Sequence, residues 1–262
     1  MNLSLSGKNA LVGGASAGIG RAAAVELALL GANVTLIART EKTLREAVEH
    51  LDVSQGQQHG YLVADYALQP QLMEQVQQLL AELGVVHILI NNTGGPPGGP
   101  VVNATAEAFL EAYHNHLICN QLLAQAVLPG MKLAGFGRII NVISTSVKEP
   151  LDGLGVSNTT RWAVAAWAKT WANEVGPFGI TVNNVLPGYT RTGRLTGLLQ
   201  KQSAEKGVLP EELETLWQSH TPARRFAEPE EIAAAIAFLA SPAAAYVNGV
   251  NLPVDGGRTK SL

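Results

Sequence analysis

Short apolar runs alternate with segments of helical period along the chain. The apolar runs, which are rich in β-branched residues, are NALVGG, ANVTLIA, GYLVAD, VHILINN, GRIINVIS, GITVNNVLP and GVNLPVDGG. Segments such as GRAAAVELALLG and PEEIAAAIAFLAS separate them. Strands that are apolar on both faces are typical of parallel sheets covered by helices on both sides. The alternation therefore predicts an α/β fold, a doubly wound parallel sheet of about seven strands.

One segment departs from this alternation. Residues 192–222, TGRLTGLLQKQSAEKGVLPEELETLWQSHTP, are polar and helix-prone, and they stand between the sixth predicted strand and the last helix. An insertion there lies at the carboxyl ends of the strands, where open parallel sheets bind ligands. We interpret it as a substrate lid, with a mobile surface loop as the alternative. No linker or internal repeat interrupts the rest, so residues 1–262 are predicted to form one domain.

Composition narrows the classes of function. The chain of 262 residues is 47% hydrophobic and 15% charged, which suits one substantial core. A net charge of −3 offers no basic surface to nucleic acid, and the apolar runs are too short to span a bilayer. The single cysteine, Cys119, cannot form an internal disulfide, and its helical context favours packing over nucleophilic chemistry. We expect a reducing cytoplasm and neither nucleic acid nor membrane as a partner.

A glycine-rich turn follows the first predicted strand and leads directly into a helix. Its sequence is GGASAGIG, residues 13–20. Glycines in this position let backbone N–H groups approach a pyrophosphate at the positive end of the helix dipole. The pattern alone is a weak signal, but its place between a strand and a helix predicts a dinucleotide site on a Rossmann-type sheet.

The residue after the second predicted strand bears on the choice of dinucleotide. This position holds Arg39, where an NAD-binding sheet carries a carboxylate for the ribose hydroxyls. A guanidinium suits a 2′-phosphate, so NADP(H) is favoured over NAD(H); a solvated surface charge is the alternative. Asp65, at the end of the third strand, is placed to accept a hydrogen bond from adenine or to cap a helix. No metal site is predicted.

With these features in order, the chain resembles the short-chain dehydrogenase/reductase family along its whole length, most closely the 3-oxoacyl-carrier-protein reductase type. GGASAGIG matches the family's TGxxxGIG, NNTG at 91–94 matches NNAG, PGYTRT at 187–192 matches the PG-x-x-x-T segment, and VDGG at 254–257 closes the last strand. The resemblance implies that several residues contact the cofactor or support its loops. These are Gly14, Ser16, Gly18, Ile19, Gly20, Asp65, Asn92, Gly94, Pro187, Gly188 and Thr192.

The family's catalytic set is Asn, Ser, Tyr and Lys, and here the chain departs from the family. The position of the asparagine falls at His116, or at Asn115 with one residue of slippage. The serine is Ser144, and the usual spacing from it places Ser157 where tyrosine is expected and Arg161 where lysine is expected. Only the serine keeps its identity.

These substitutions change the proton chemistry. A serine hydroxyl is a weaker acid than a phenol, and the serine side chain is shorter than that of tyrosine. A guanidinium is a poor proton relay, although Arg161 can still donate hydrogen bonds to ribose hydroxyls. His116 is the first candidate for the proton donor, because an imidazole titrates near neutral pH; a packing histidine is the alternative. Lys148, near Ser144, is a further candidate, or a solvated loop lysine. Tyr189 is interpreted as a wall of the nicotinamide site.

Two hypotheses remain at this point. The first is an NADP-dependent reductase of a 3-oxoacyl or other small carbonyl compound with an altered proton donor, supported by the glycine loop, Arg39 and Ser144. The second is a non-catalytic, nucleotide-binding sensor or structural subunit, supported by the missing tyrosine and lysine. In either case the resemblance implies a homodimer or homotetramer, since the family's helices at the position of Trp162, Trp167 and Trp171 pair across an interface.

Overall fold

The computed structural model describes residues 1–261 and contains a seven-stranded parallel sheet. The strands are β1 (Asn9–Gly13), β2 (Asn33–Ala38), β3 (Gly60–Val63), β4 (Ile88–Asn91), β5 (Gly137–Val142), β6 (Ile180–Pro187) and β7 (Asn251–Val254). Every pair of neighbouring strands is parallel. Each predicted apolar run forms one of these strands, so the predicted fold class is confirmed.

Helices connect the strands and cover both faces of the sheet. They are α1 (Gly18–Leu29), α2 (Glu41–Val48), α3 (Gln69–Leu83), α4 (Ala106–Tyr113), α5 (Cys119–Ala134), α6 (Gly155–Val175), α7 (Gly193–Lys206), α8 (Pro210–Ser219) and α9 (Pro229–Ala240). A π-helical turn, His114–Ile118, joins α4 to α5, and a 3-10 turn, Thr145–Val147, follows β5. None of the helices within residues 1–261 is long and apolar enough to cross a membrane.

Two apolar layers hold the sheet. One contains side chains of α1, α2 and α9, among them Leu27, Leu44 and Ile236. The other contains side chains of α3, α5 and α6, among them Leu72 and Leu123. All five side chains are fully buried, as expected when the strands between the layers are apolar on both faces.

The strand order β3-β2-β1-β4-β5-β6-β7 determines where a ligand can bind. The chain winds outward from β1 in one direction up to β3 and in the other direction from β4, so the order reverses between β1 and β4. Ligands of open parallel sheets bind at such a switch point, outside the carboxyl ends of the strands.

A ladder of asparagine side chains crosses the sheet near this edge. Asn91, Asn141, Asn184 and Asn251 occupy paired positions of β4, β5, β6 and β7. Along the row, each amide nitrogen donates to the next amide oxygen at 2.8 Å. Buried polar side chains of this kind are stable only when they are hydrogen-bonded to one another. The ladder therefore fixes the register of four strands just below the ligand edge.

The segment 192–222 forms α7 and α8 and has its own small apolar cluster. This cluster contains Leu195, Leu199, Leu213, Trp217 and Phe226. The Trp217 ring stacks on the ring of Tyr189, with 5.1 Å between centroids and 11° between planes. The segment is thus packed together and attached to the loop after β6. Its action as a lid stays a prediction.

Candidate active site

A cleft of about 790 Å³ lies at the carboxyl edge of the sheet. It is lined by residues of the glycine loop, of 38–40, 64–66 and 92–100, of α4, and by Asn115, His116 and Val156. These segments follow β1, β2, β3 and β4, on both sides of the switch point. The cleft is therefore where the strand order alone places a ligand.

The glycine loop has no room for side chains. A Cβ atom on Gly20 would lie 2.4 Å from the carbonyl oxygen of Gly14, and one on Gly14 would lie 2.6 Å from the carbonyl oxygen of Asn92. The Asn92 side chain donates to the carbonyl oxygens of Gly13 and Gly14, at 3.1 and 3.3 Å. This arrangement leaves the loop's backbone close against β4 and the N-terminus of α1 open to an anion, because Ala17 provides no side-chain cap.

Arg39 and Asp65 lie at one end of the cleft. Both line it, and both follow strand ends as the sequence predicts. The Asp65 carboxylate accepts a hydrogen bond from the backbone N–H of Ala67 at 3.0 Å. This bond closes a turn before α3 and does not cap the helix, whose N-cap residue is Leu68 without a side-chain cap. The carboxylate has further acceptor sites for a ligand.

The segment after β6 closes the opposite side of the loop. Thr192 caps α7, and a Cβ atom on Gly18 would lie 3.1 Å from the Thr192 methyl group. Gly188 follows Pro187, the last residue of β6, and packs against the backbone of Asp255. The two predicted cofactor segments, 14–20 and 187–192, are therefore adjacent in space.

This arrangement fits a dinucleotide. The glycine loop and the N-terminus of α1 can hold a pyrophosphate, Arg39 and Asp65 stand where an adenosine would lie, and Asn92, Gly94 and Ser16 line the path between them. Ile19 packs its side chain against the core beneath the loop, so its part is support. When bound, a nicotinamide dinucleotide supplies or accepts a hydride at its nicotinamide ring.

His116 lies in the π-helical turn between α4 and α5, where the turn directs it toward the cleft. Its side chain is 2% exposed and lines the cleft wall. The Nδ1 atom is hydrogen-bonded to the Thr93 hydroxyl, which belongs to the NNTG segment after β4. Single π turns within helices are frequent at functional sites. Asn115 also lines the cleft, so both residues considered from the sequence reach it.

The charge state of His116 differs from that of a free imidazole. Burial, together with the positive charges of Arg161 and Arg194, lowers its pKa to about 2. The ring is therefore neutral at physiological pH. The ordinary imidazole pKa expected from the sequence therefore does not apply to His116. If this residue donates a proton, it does so as a neutral imidazole.

Ser157 and Arg161 lie on α6, one turn apart, and both are buried. Arg161 donates to the carbonyl oxygen of Val142, at the end of β5, at 3.3 Å. Burial, with the nearby charge of Arg194, lowers the pKa of its guanidinium to about 10, so it stays protonated at neutral pH. Neither residue lines the cleft described above, whereas Val156, which precedes Ser157, does.

Ser144 follows β5, and its hydroxyl oxygen accepts a hydrogen bond from the backbone N–H of Ser146 at 3.0 Å. That bond uses the oxygen as an acceptor and leaves the hydroxyl hydrogen for a ligand. Lys148 ends the 3-10 turn on the same loop and is half-buried. Cys119 is fully buried and its thiol contacts the Tyr66 carbonyl, which is the packing role favoured by its sequence context.

Sequence reasoning assigned no role to two residues that the structure places here. Thr93 was seen only as a departure from NNAG, and Arg194 only as part of the lid. One signal in the sequence could have identified Thr93: it replaces the alanine of NNAG, and His116 stands at the position of the family's asparagine, so both positions depart from the family. Arg194 donates to the carbonyl oxygens of Gly95 and Pro96, at 2.8 and 3.2 Å, and so joins the lid to the loop after β4.

Residues 14–259 match the family described as enoyl-(acyl carrier protein) reductase. The 3-oxoacyl-(acyl-carrier-protein) reductase of Vibrio cholerae is 35% identical, over 97% of this chain and 98% of its own length. The gluconate 5-dehydrogenase of Gluconobacter oxydans is 32% identical, over 99% of this chain and 97% of its own.

Solved structures agree with these relatives. The L-sorbose reductase of Gluconobacter frateurii, crystallised with NADPH and L-sorbose, has a TM-score of 0.93 and 32% identity over the whole of both chains. A single-residue variant of actinorhodin polyketide ketoreductase, crystallised with NADPH, has a TM-score of 0.90 and 30% identity over 97% of both chains. The motifs, the fold and these relatives agree: the chain belongs to the short-chain dehydrogenase/reductase family of NAD(P)-dependent oxidoreductases.

Proposed function

We propose that this protein reduces a small carbonyl compound, of the 3-oxoacyl or a similar keto type, to an alcohol with NADPH. The observation that carries the proposal is the pair Thr93 and His116 at the cleft wall. The two residues come from separate segments, the loop after β4 and the π turn, and the His116 side chain is buried. The pair provides the proton donor that the missing tyrosine would otherwise supply.

The neutral imidazole acts as the donor in this proposal. Thr93 donates its hydroxyl hydrogen to Nδ1, which fixes the tautomer with the N–H on Nε2. As the carbonyl carbon receives the hydride that bound NADPH would supply, its oxygen gains negative charge and takes the Nε2 proton. Solvent returns a proton to Nε2 after the alcohol leaves, while Thr93 keeps its bond to Nδ1. The positive charges of Arg161 and Arg194, which oppose protonation of the ring, also make its N–H more acidic. A neutral histidine is a known electrophile in carbonyl chemistry for the same reason.

The remaining polar residues have supporting roles. Ser144 donates its hydroxyl to the substrate oxygen beside His116, since its own oxygen is occupied by the N–H of Ser146. Arg161 donates to the ribose hydroxyls of the cofactor and stabilises the developing negative charge. Ser157 offers a second hydroxyl one helical turn before Arg161, and Lys148 a positive charge on the Ser144 loop.

NADP(H) is the proposed cofactor because of Arg39. The guanidinium lies at the end of β2, on the lining of the cleft, and can bind a 2′-phosphate through two parallel hydrogen bonds. None of the salt bridges among residues 1–261 includes Arg39, so its charge is not already neutralised by a carboxylate. Binding of NADPH by two of the similar proteins is consistent with this assignment.

The test combines calorimetric titration of NADPH and NADH with a panel of small keto compounds, in which NADPH oxidation is followed by absorbance. The wild-type protein, His116→Gln and Ser144→Ala are compared, with His50→Gln as an exposed control. We expect turnover that falls in the first two variants and survives in the control. Tight NADPH binding without turnover of any keto compound would favour the non-catalytic alternative, and unchanged turnover in both variants would refute the mechanism.

We further propose that the protein is a homo-oligomer. Several apolar side chains near α4 and α6 are exposed, including Leu110 at 60%, Ile118 at 38% and Trp162 at 50%. Exposed apolar patches of this kind mark protein interfaces. Sedimentation of the wild-type protein and of Leu110→Glu tests this: a dimer or tetramer that dissociates in the variant supports the proposal, and a wild-type monomer refutes it.

A further inference from the structure

Arg194 occupies a specific position between the lid and the substrate end of the cleft. Its guanidinium donates to the carbonyl oxygens of Gly95 and Pro96, both of which line the cleft. A Cβ atom on Gly95 would lie 2.8 Å from the guanidinium, so the guanidinium packs closely against this glycine. Thr93, two residues before Gly95, is bonded to His116. The loop therefore places a guanidinium at the His116 end of the cleft.

A second guanidinium, that of Arg161, does not line the cleft, but its positive charge acts on His116 together with that of Arg194. Its side chain is 7% exposed, yet among residues 1–261 it has one hydrogen-bond partner, the Val142 carbonyl. This neutral carbonyl does not cancel the positive charge of the guanidinium, which therefore acts electrostatically on groups next to His116.

The two charges have no counter-ion in the part of the chain that is described. Arg45, Arg191 and Arg225 each form ion pairs with glutamates. Arg161 and Arg194 form none with any residue of 1–261. Burial lowers the pKa of both, and the charge of Arg194 lowers that of Arg161 further, so the two like charges lie close enough to repel each other.

We propose that the substrate carries an anionic oxygen group, a carboxylate or a phosphate, which Arg194 binds and which Arg161 attracts, while its carbonyl group lies at His116. The fork of a guanidinium recognises either group through two hydrogen bonds. This inference rests on the proposed function, since it names the class of carbonyl compound that the same site reduces. It assigns Arg194 as a residue that determines specificity.

The pyrophosphate of the cofactor is the other anion that Arg194 could bind. The position of Arg194 favours the anionic group of the substrate over the pyrophosphate. Thr192, not Arg194, lies against the glycine loop. Arg194 turns instead to the Gly95 and Pro96 carbonyls, on the loop that positions His116. Its charge is therefore placed for a group bound next to the imidazole.

The experiment compares anionic probes with their neutral counterparts. Acetoacetate and levulinate are paired with their methyl esters, and hydroxyacetone phosphate with hydroxyacetone, in the wild-type protein, Arg194→Gln and Arg194→Lys. Lys201→Gln is the matched control, because Lys201 lies on α7 like Arg194 but is already paired with Glu205 at 3.8 Å. The measurements are kcat/KM for each probe, calorimetric binding of each probe to the complex of the protein with NADP, and the Kd for NADPH.

The proposal predicts that one anionic series is favoured over its neutral partners. This preference falls by about tenfold to a hundredfold in Arg194→Gln, is partly kept in Arg194→Lys and is unchanged in Lys201→Gln. The series that shows the preference identifies the anion as carboxylate or phosphate. The Kd for NADPH stays the same.

Other outcomes have separate meanings. Equal turnover of acids and esters overturns the anion site and leaves the reductase assignment standing. Binding of the acids that needs Arg194, without turnover of any probe, supports the anion site and removes the reductase assignment. Weaker NADPH binding in Arg194→Gln, with the preference for acids unchanged, would mean that the guanidinium serves the cofactor, and the proposal would be wrong.

Discussion

The nucleotide end and the substrate end of the cleft are built in different ways. At the nucleotide end, the glycine loop offers backbone groups, and Cβ atoms on Gly14 and Gly20 would clash with the carbonyl oxygens of Asn92 and Gly14. At the substrate end, side chains from separate segments meet, such as Thr93 from the β4 loop and His116 from the π turn. A binding site made of backbone groups requires glycine residues and a regular sheet edge. A side-chain site can be rebuilt by substitution, and here it departs from the family.

Substitution of Gly20 is expected to remove the nucleotide end while leaving the substrate end in place. In Gly20→Val the new Cβ meets the Gly14 carbonyl oxygen at 2.4 Å, so the loop has to move away from the pyrophosphate position. We expect NADPH binding to weaken by at least about a hundredfold, about 3 kcal/mol. Calorimetry measures this, with circular dichroism to confirm folding.

Gly197→Ala is the control, since a Cβ there meets no atom within 4 Å. Its NADPH affinity should equal that of the wild type. Equal affinity in a folded Gly20→Val protein would show that the dinucleotide does not use this loop.

The substrate end is tested by removing the hydroxyl that orients His116. In Thr93→Val the Nδ1 atom loses its partner, so the tautomer and the orientation of the ring are no longer fixed. We expect kcat to fall by about tenfold to a hundredfold with an unchanged Kd for NADPH. Thr93→Ser keeps the hydroxyl and should retain most of the activity. Full activity in Thr93→Val, which keeps the methyl group and lacks only the hydroxyl, would contradict this role of the hydroxyl.

The charge state of His116 gives a stability test that needs no substrate. The folded protein holds the pKa at about 2, whereas the unfolded chain has the ordinary value of about 6.5. Between these values the unfolded state binds a proton that the folded state does not, so the free energy of unfolding falls as the pH drops below about 6.5. At about pH 5 this loss amounts to about 2 kcal/mol relative to about pH 8.

His116→Gln lacks this contribution and should lose correspondingly less stability over the same pH range. Urea unfolding of both proteins at the two pH values measures the difference, and His50→Gln serves as an exposed control. The same loss in all three proteins would mean that His116 is not held neutral by the fold.

Arg39 gives the smallest expected effect, because it contributes one exposed contact at the nucleotide end. In Arg39→Ala we expect NADPH binding to weaken about tenfold while NADH binding is unchanged. Calorimetric titration of both nucleotides checks this, with Lys42→Ala as a neighbouring control. An equal loss for both nucleotides would contradict recognition of the 2′-phosphate.

The sequence predicted the features of the fold that depend on local patterns and on backbone geometry. Seven apolar runs became seven parallel strands, and GGASAGIG became the loop between β1 and α1, because periodicity and glycine content act over a few residues. The asparagine ladder could also have been found, since four predicted strands each carry an asparagine that pairs with its neighbour in the sheet.

The sequence did not predict contacts between side chains that are far apart along the chain. Thr93 and His116 are separated by 23 residues, and Arg194 meets Gly95 across 99 residues. Which hydroxyl faces which ring depends on the π turn and on how the 93–100 loop folds, and neither has a local signal. The pKa of His116 follows from burial beside two arginines, so it too needed the structure.

In our proposal the nucleotide end binds NADPH as in the family, while His116 has become the proton donor. The most direct measurement is single-turnover hydride transfer from bound NADPH to an accepted keto compound, in the wild type and in His116→Gln, with the Kd for NADPH measured on the same samples. We predict an unchanged Kd and a rate at least about a hundredfold lower in the variant. Equal rates in the two proteins, or no transfer in the wild type despite tight NADPH binding, would contradict it.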